Sequence, residues 1–249
     1  MDTDQQFATY QSLEKKFFVW MNTPKGSALM AHEKQCIEQQ MRSAFGNYAV
    51  FVGLNAWQCS KSPSPISRRI CLNSSLQYPS DVVMDPHSLP LATHSVDLLV
   101  LQHALDLSQS PATLLEEAQR VIEPGGKLLI TGFNPLSIWG ILRFFRFKQG
   151  VPWQAGFQSK WWIKRELITH GFGDFKLIAI YNPALNIKAR PHLKTLLAPF
   201  ANTYLLSAVK KQTRGHIMKT QWRNKLPKPK YAVTGVACEL NQNKELETS

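Results

Sequence analysis

The chain has 249 residues, of which 44% are apolar and 18% charged, and its formal net charge is +12. This apolar share is enough for a hydrophobic core of ordinary size. Residues 1–6 are polar and acidic, unlike a secretory signal peptide, and the longest apolar stretch, residues 136–147, contains two arginines and is too short to cross a bilayer. These features argue against secretion and against a membrane-spanning topology, so we expect a cytoplasmic protein.

The four cysteines do not form a recognisable metal or disulfide pattern. They are Cys36, Cys59, Cys71 and Cys238, and no two of them have the CxxC spacing. A zinc site usually needs paired ligands at short spacing, and a disulfide framework is typical of much shorter secreted chains. We therefore predict free thiols and no metal site.

The positive charge is concentrated in the last third of the chain. Residues 176–237 hold twelve lysines and arginines and no acidic residue, while the other 17 bases balance all 17 acids. Such a segment could contact an anionic partner, either nucleic acid or a membrane surface, or remain a solvated tail. No RNA-binding motif accompanies it, which disfavours nucleic acid. A weak membrane-surface contact could be assisted by the aromatic residues Phe144, Phe145 and Phe147.

The aromatic segment itself, residues 136–148, allows several interpretations. It could be a lid over a site, a segment that lies on a membrane surface, or a buried core helix. The sequence leaves these three alternatives open.

Two helices are predicted before any strand. Residues 11–21 and 27–45 have apolar residues at helical spacing, and Pro24 and Gly26 interrupt the pattern between them. Ser27 is the expected N-cap of the second helix. Residues 1–47 are therefore predicted to form an N-terminal helical cap.

From residue 48 onwards, short apolar runs alternate with helical patterns. Strands are predicted at residues 49–52, 70–72, 81–84, 97–101, 127–131, 175–181 and 204–210, and helices at residues 111–122 and 162–170. Continuous apolar strands between helices indicate an α/β fold with a Rossmann-like, mostly parallel sheet and helices on both faces. No helical pattern separates the last two strands, so the last strand is predicted to be antiparallel. This domain should span residues 48–211, followed by a basic, disordered tail at residues 212–249.

An ordered series of motifs follows the predicted strands. Asp85 and Pro86 come after the third strand, Ser95 and Asp97 open the fourth, and three glutamates and an arginine (Glu116, Glu117, Arg120 and Glu123) precede Pro-Gly-Gly at residues 124–126. This order resembles the class I S-adenosylmethionine-dependent methyltransferases, in particular the type 11 methyltransferase group. The resemblance is close over residues 81–131 and looser over residues 49–211. It implies a bacterial methyltransferase with S-adenosylmethionine as cofactor and a small-molecule acceptor.

The resemblance also implies site residues, at the carboxyl ends of the strands where open α/β sheets bind ligands. Its cofactor-binding positions are occupied here by Gly53, Asn55, Asn73, Asp85, Pro86, Gln102 and His103. Asn73 stands where the family usually has a carboxylate for the ribose hydroxyls, and Asp85 would accept a hydrogen bond from the adenine amino group. Gln102 and His103 would line the adenine and sulfonium region.

Each of these positions also has a purely structural interpretation. Asp85 could be a turn or cap residue before a proline, and Gln102 and His103 could be a polar strand end. Asn134 would face the methyl-transfer space and orient a substrate, or it could form an Asn-Pro turn. No residue is assigned a catalytic role, because methyl transfer from a sulfonium depends mainly on positioning.

The loop after the first strand departs from the family pattern. Phe51 stands in place of the acidic residue, and Asn55 and Trp57 in place of two glycines, so Gly53 alone matches. This departure favours an alternative function, a catalytically silent methyltransferase fold that serves in binding or regulation.

Overall fold

The computed structural model describes residues 3–75, 78–137, 140, 155–180 and 201–212. Contacts divide the chain into a unit of Met1–Thr213 and a second unit of Arg214–Ser249, which lies outside the described residues. Most of the aromatic segment and nearly all of the tail also lie outside them. The predictions of a lid, of a membrane-surface contact and of a disordered tail therefore stay predictions, as do the three domain boundaries.

The described part of the chain contains six helices and seven strands. The helices are α1 (Thr3–Met21), α2 (Pro24–Met41), α3 (Ala56–Ser60), α4 (Ala104–Leu107), α5 (Pro111–Val121) and α6 (Lys160–Thr169). The strands are β1 (Tyr48–Gly53), β2 (Arg68–Asn73), β3 (Val82–Val83), β4 (Val96–Gln102), β5 (Ile122–Phe133), β6 (Phe172–Ile180) and β7 (Thr203–Lys210). None of the described helices is both long enough and apolar enough to cross a membrane.

The seven strands form one sheet in the order β3-β2-β1-β4-β5-β7-β6. The pairs β3-β2, β2-β1, β1-β4 and β4-β5 are parallel, and β7 is antiparallel to both of its neighbours, β5 and β6. The prediction of a Rossmann-like, mostly parallel sheet with an antiparallel last strand is confirmed.

Helices cover both faces of this sheet, as predicted. Alternate side chains of a strand point to opposite faces, and both sets are apolar in the central strands. Val50 and Val52 of β1 share one hydrophobic cluster with α5 and α6, while Ala49 and Phe51 share the other with α1, α2 and α3. The N-terminal helices therefore pack directly on one face of the sheet.

The start of α2 differs from the prediction that Ser27 caps it. The helix begins at Pro24, and Thr23 is the N-cap, with its Oγ1 accepting a hydrogen bond from the Gly26 amide at 3.2 Å. Proline is favourable in a first turn because the amide that it lacks would have no partner there. The Ser27 prediction was wrong because it treated Pro24 as a helix breaker.

Asp97 joins the starts of β1 and β4. Its Oδ2 accepts hydrogen bonds from the amides of Asn47 and Tyr48, both at 2.8 Å. Gly46 approaches this carboxylate so closely that a Cβ on it would lie 2.1 Å from Asp97 Cγ. The chain entering the sheet is thus fixed by one side chain of the neighbouring strand.

Candidate functional site

The predicted site residues lie at or just after the carboxyl ends of the parallel strands. Gly53, Asn73 and Gln102 are the last residues of β1, β2 and β4, and Asn134 follows β5. Parallel pairing brings these strand ends to one edge of the sheet, which is where open α/β sheets bind ligands.

A cavity of about 550 Å³ opens at the ends of β1 and β2. Its walls come from the loop after β1, from the segment after β2, and from the facing sides of α1 and α2. Its lining includes three of the predicted site residues and three charged side chains of the N-terminal helices: Gly53, Asn55, Asn73, Glu14, Lys34 and Glu38. This volume falls within the range of small-molecule sites.

The loop after β1 turns sharply, and its backbone lies close to the end of β4. Gly53 has a φ of +98°, and a Cβ on it would lie 2.3 Å from the carbonyl oxygen of Gln102. Asn55 has a φ of 54°, a left-handed conformation that asparagine tolerates better than most residues. Its Nδ2 is buried and has no hydrogen-bond partner within the described part of the chain. The loop therefore keeps a glycine where one is required.

Asn73 is the last residue of β2, and one of its side-chain atoms lacks a hydrogen-bond partner in the described part of the chain. It is 5% exposed and donates from Nδ2 to the carbonyl oxygen of Pro79 at 3.3 Å. Its Oδ1 has no partner among the residues that the structure describes. A buried acceptor without a donor is costly, and a ligand hydroxyl would relieve that cost.

A carboxylate of α1 lies beside this strand end. Glu14 is 2% exposed and accepts a hydrogen bond from the hydroxyl of Ser74, the residue after Asn73. Burial raises the pKa of Glu14 to about 7. The sequence interpretation missed Glu14, although it falls on the buried side of α1 between Tyr10 and Phe17, where a carboxylate is unexpected.

The α2 side of the cavity carries an opposite pair of charges. Lys34 Nζ lies 3.9 Å from Glu38 Oε1, which also accepts a hydrogen bond of 2.7 Å from the hydroxyl of Ser62. Both side chains of the pair are partly exposed. The cavity thus offers a cation and an anion close together, as a zwitterionic ligand would need.

Asp85 and Pro86 are not part of the cavity lining. Asp85 Oδ1 accepts a hydrogen bond from the His87 amide and lies 2.9 Å from His87 Nδ1, while His87 Nε2 lies 2.7 Å from the hydroxyl of Ser108. Pro86 is buried. The structure thus gives Asp85 a turn role, and its contact with a cofactor stays a prediction.

Gln102 and His103 are fully buried at the end of β4. Gln102 accepts a hydrogen bond from the Cys59 thiol at 3.3 Å, and its Nε2 has no partner within the described ranges. His103 has Nδ1 2.8 Å from Asp106 Oδ2 and Nε2 3.0 Å from Glu33 Oε2. Neither residue is part of the cavity lining, so their cofactor contacts also stay predictions.

The Glu33–His103–Asp106 cluster is an internal ionic link. Burial opposes the positive charge, but the charge of Glu33 and the hydrogen bond with Asp106 raise the pKa of His103 to about 10. His103 is therefore an imidazolium at neutral pH, and it ties α2 to the turn after β4. The sequence interpretation missed Glu33, which lies on the buried side of α2 between Leu29 and Ile37.

Asn134 is 2% exposed, and its side chain forms hydrogen bonds with backbone groups. Its Nδ2 donates to the Ala201 carbonyl at 2.8 Å, and its Oδ1 accepts from the Leu136 amide at 3.2 Å. These contacts support the turn interpretation, and a substrate-binding role stays a prediction. Across the described ranges, no group of three or more His, Cys, Asp or Glu side chains could hold a metal ion.

Comparison with known proteins finds similarity to methyltransferases in part of the chain. A family model for the type 11 methyltransferase domain matches residues 55–130. YafS of Escherichia coli is 31% identical over 123 residues, which cover 49% of this chain and 50% of YafS. Malonyl-[acyl-carrier protein] O-methyltransferase of Methylococcus capsulatus is 30% identical over 98 residues, which cover 39% of this chain and 36% of that enzyme. The chain thus spans half or less of the length of these two relatives.

A solved structure with the same fold extends the likeness beyond the matched domain. A S-adenosylmethionine-dependent methyltransferase of Thermotoga maritima superposes with a TM-score of 0.61 at 15% identity, covering 82% of this chain and 100% of that one. The identity is low, so this likeness concerns the fold. Residues 55–130 thus match a type 11 methyltransferase domain, and they lie within a Rossmann-like fold that the chain shares with an S-adenosylmethionine-dependent methyltransferase of known structure.

Proposed function

We propose that this protein binds S-adenosylmethionine in the cavity at the ends of β1 and β2 and transfers its methyl group to a small-molecule acceptor. The observation that carries the proposal is the position of the cavity. It lies at the carboxyl edge of the sheet, next to Gly53, within the fold that the family uses for this cofactor.

The residues present fit the cofactor. Gly53 lines the cavity without a side chain, and a Cβ at this position would collide with the carbonyl oxygen of Gln102 in β4. Lys34 and Glu38 suit the carboxylate and ammonium groups of the methionine half, since each meets its opposite charge. The unpaired Oδ1 of Asn73 suits a hydroxyl of the nucleoside half.

When bound, S-adenosylmethionine supplies a methyl group that is already activated by the sulfonium. The chain then has to hold the cofactor, orient the acceptor and keep water out. The helices α1 and α2 serve the last purpose, because they form the wall of the cavity opposite the strand ends. The protein needs no covalent catalysis for this reaction.

A second candidate function is a catalytically silent fold that binds a ligand without turnover. The observation that favours it is Phe51, which stands where the family has an acidic residue and is fully buried in the core. The ammonium group of the cofactor therefore has no carboxylate from β1 to pair with. In the proposed enzyme, Glu38 would provide this charge from α2 instead.

Isothermal titration calorimetry tests the proposal. The full chain should bind both S-adenosylmethionine and S-adenosylhomocysteine, and Lys34→Gln should weaken both, with Lys164→Gln on the exposed side of α6 as control. Absence of binding by folded protein at millimolar ligand would contradict the proposed methyltransferase and favour the silent fold. Binding followed by formation of S-adenosylhomocysteine, on addition of a small-molecule extract, would support the enzyme over the silent fold.

A further inference from the structure

We propose that Glu14, on the N-terminal helix α1, binds the ribose hydroxyls of the cofactor and acts there together with Asn73. The inference rests on the proposed function and adds a residue outside the matched domain of residues 55–130. It places the carboxylate for the hydroxyls on a helix that precedes the sheet.

The positions of Glu14 and Asn73 carry the argument. Both line the same cavity, and the hydroxyl of Ser74 joins them, because Ser74 follows Asn73 and donates to Glu14 Oε2. A carboxylate can accept about four hydrogen bonds, so Glu14 keeps acceptor capacity beyond this one. Asn73 is 5% exposed and its Oδ1 is unpaired within the described part of the chain. Two neighbouring acceptors match two vicinal hydroxyl donors.

The aromatic side chains next to Glu14 favour a nucleoside over other polyols. Phe18, one helical turn after Glu14, contacts Tyr78 with ring centroids 4.4 Å apart and an interplanar angle of 38°. Both rings line the cavity. Aromatic faces stack readily on a base, so this wall offers a surface for the adenine beside the acceptors for the sugar.

The charges on the α2 side make it less suited to the hydroxyls. Lys34 and Glu38 are already paired with each other, and Ser62 is bonded to Glu38. A paired cation and anion match the two charges of an amino acid better than a neutral diol. The nucleoside half therefore belongs at Glu14 and the methionine half at α2.

The ionisation of Glu14 gives the proposal a second readout. Burial raises its pKa to about 7, and hydroxyl donors would favour the ionised form. Among the residues that the structure describes, the titratable groups that interact with Glu14 are Tyr10, Cys71 and Tyr78, and burial together with nearby negative charge raises the pKa of each. These three stay neutral near pH 7, so a proton released there on cofactor binding would come from Glu14.

The test is calorimetry of the full chain with S-adenosylhomocysteine and with its 2′-deoxy analogue. The variant is Glu14→Gln, and the matched control is Glu116→Gln, which changes an exposed glutamate of α5 outside the cavity. We expect Glu14→Gln to weaken S-adenosylhomocysteine binding by about 10- to 100-fold, as for a lost charged hydrogen-bond acceptor. The wild type should lose affinity for the deoxy analogue, whereas the variant should bind the two ligands about equally. Thermal unfolding of both variants confirms that they are folded.

The outcomes separate this inference from the proposed function. Equal affinity of Glu14→Gln and wild type for S-adenosylhomocysteine would overturn the role of Glu14 and leave the proposed function standing. A variant that still discriminates against the deoxy analogue as strongly as wild type would also overturn it. Wild-type protein that binds neither ligand would overturn both. Proton release near pH 7 on binding, measured in buffers of different ionisation enthalpy and absent in Glu14→Gln, would support the inference.

Discussion

Replacement of His103 by Asn should destabilise the protein strongly. His103 lies between Glu33 and Asp106, at 3.0 and 2.8 Å from their nearest oxygens, and all three side chains have no solvent exposure. The substitution leaves two buried carboxylates without the cation that both contact. Asparagine is chosen because His103 has a φ of 54°, which asparagine tolerates.

The expected loss follows from the burial of the cluster. Removing one partner of a buried ion pair costs about 3–5 kcal/mol, because the remaining charge keeps its desolvation penalty. The pKa of His103 is raised from 6.5 to about 10 in the folded state. The charge of His103 therefore contributes fully to the free energy of unfolding below about pH 6.5, and this contribution is lost as the pH rises through 10. The difference between wild type and His103→Asn should shrink from pH 7.5 to pH 10.

Urea denaturation at pH 7.5 and pH 10 measures both effects. His94→Asn is a matched control, because His94 has the same φ of 54° but is exposed. Adding Glu33→Gln to His103→Asn should recover part of the loss, since one buried charge is removed. A loss below about 1 kcal/mol at pH 7.5, or one that the double variant does not reduce, would refute the ionic interpretation of the cluster.

Three further predictions concern the loop after β1, the cavity and the sheet. Gly53→Ala should lower the free energy of unfolding by at least about 2 kcal/mol, because the φ of Gly53 is +98° and the new Cβ would collide with Gln102. A decrease of less than about 0.5 kcal/mol would contradict this prediction. Glu14→Gln should gain stability relative to wild type, by up to about 3 kcal/mol, as the pH rises from 4.5 to 8. The raised pKa of about 7 means that the folded wild type is destabilised as Glu14 loses its proton, so a pH-independent difference in urea titrations would disprove the shift. Asp97→Ala should cost about 2 kcal/mol, since the amides that lead into Tyr48 lose their acceptor, and faster hydrogen exchange of these amides should accompany the loss.

The sheet could be predicted because most of its strands coincide with continuous apolar runs in the sequence. All seven residues of β4 are buried, and this strand was predicted at residues 97–101, within one residue of each end. The edge strand β3 was predicted at residues 81–84, but pairing with β2 is confined to Val82 and Val83. An edge strand has one neighbour, so local sequence determines its length less well.

The charged part of the site could not be predicted in the same way. Glu14 and Glu33 both lie on buried sides of helices, and their partners Ser74 and His103 are 60 and 70 residues away in the chain. Helical periodicity can show that a carboxylate lies on the apolar side of a helix. It cannot show which distant group forms a hydrogen bond or an ion pair with that carboxylate. The residues implied by the resemblance were confined to the strand ends, so both glutamates of the N-terminal helices were missed.

The place of β7 in the sheet has a consequence for how the protein folds during synthesis. β7 lies between β5 and β6, so β5 has no outer neighbour until Lys210 has left the ribosome. The helices α1 and α2 precede every strand of the sheet in the chain, yet the cluster that they join includes Leu129 of β5 and Leu205 of β7. Contacts between such distant segments slow folding and leave apolar surface uncovered in the meantime. Among the described elements, α1 and α2 are therefore synthesised longest before the strands that complete their packing, so their apolar sides stay uncovered for longest.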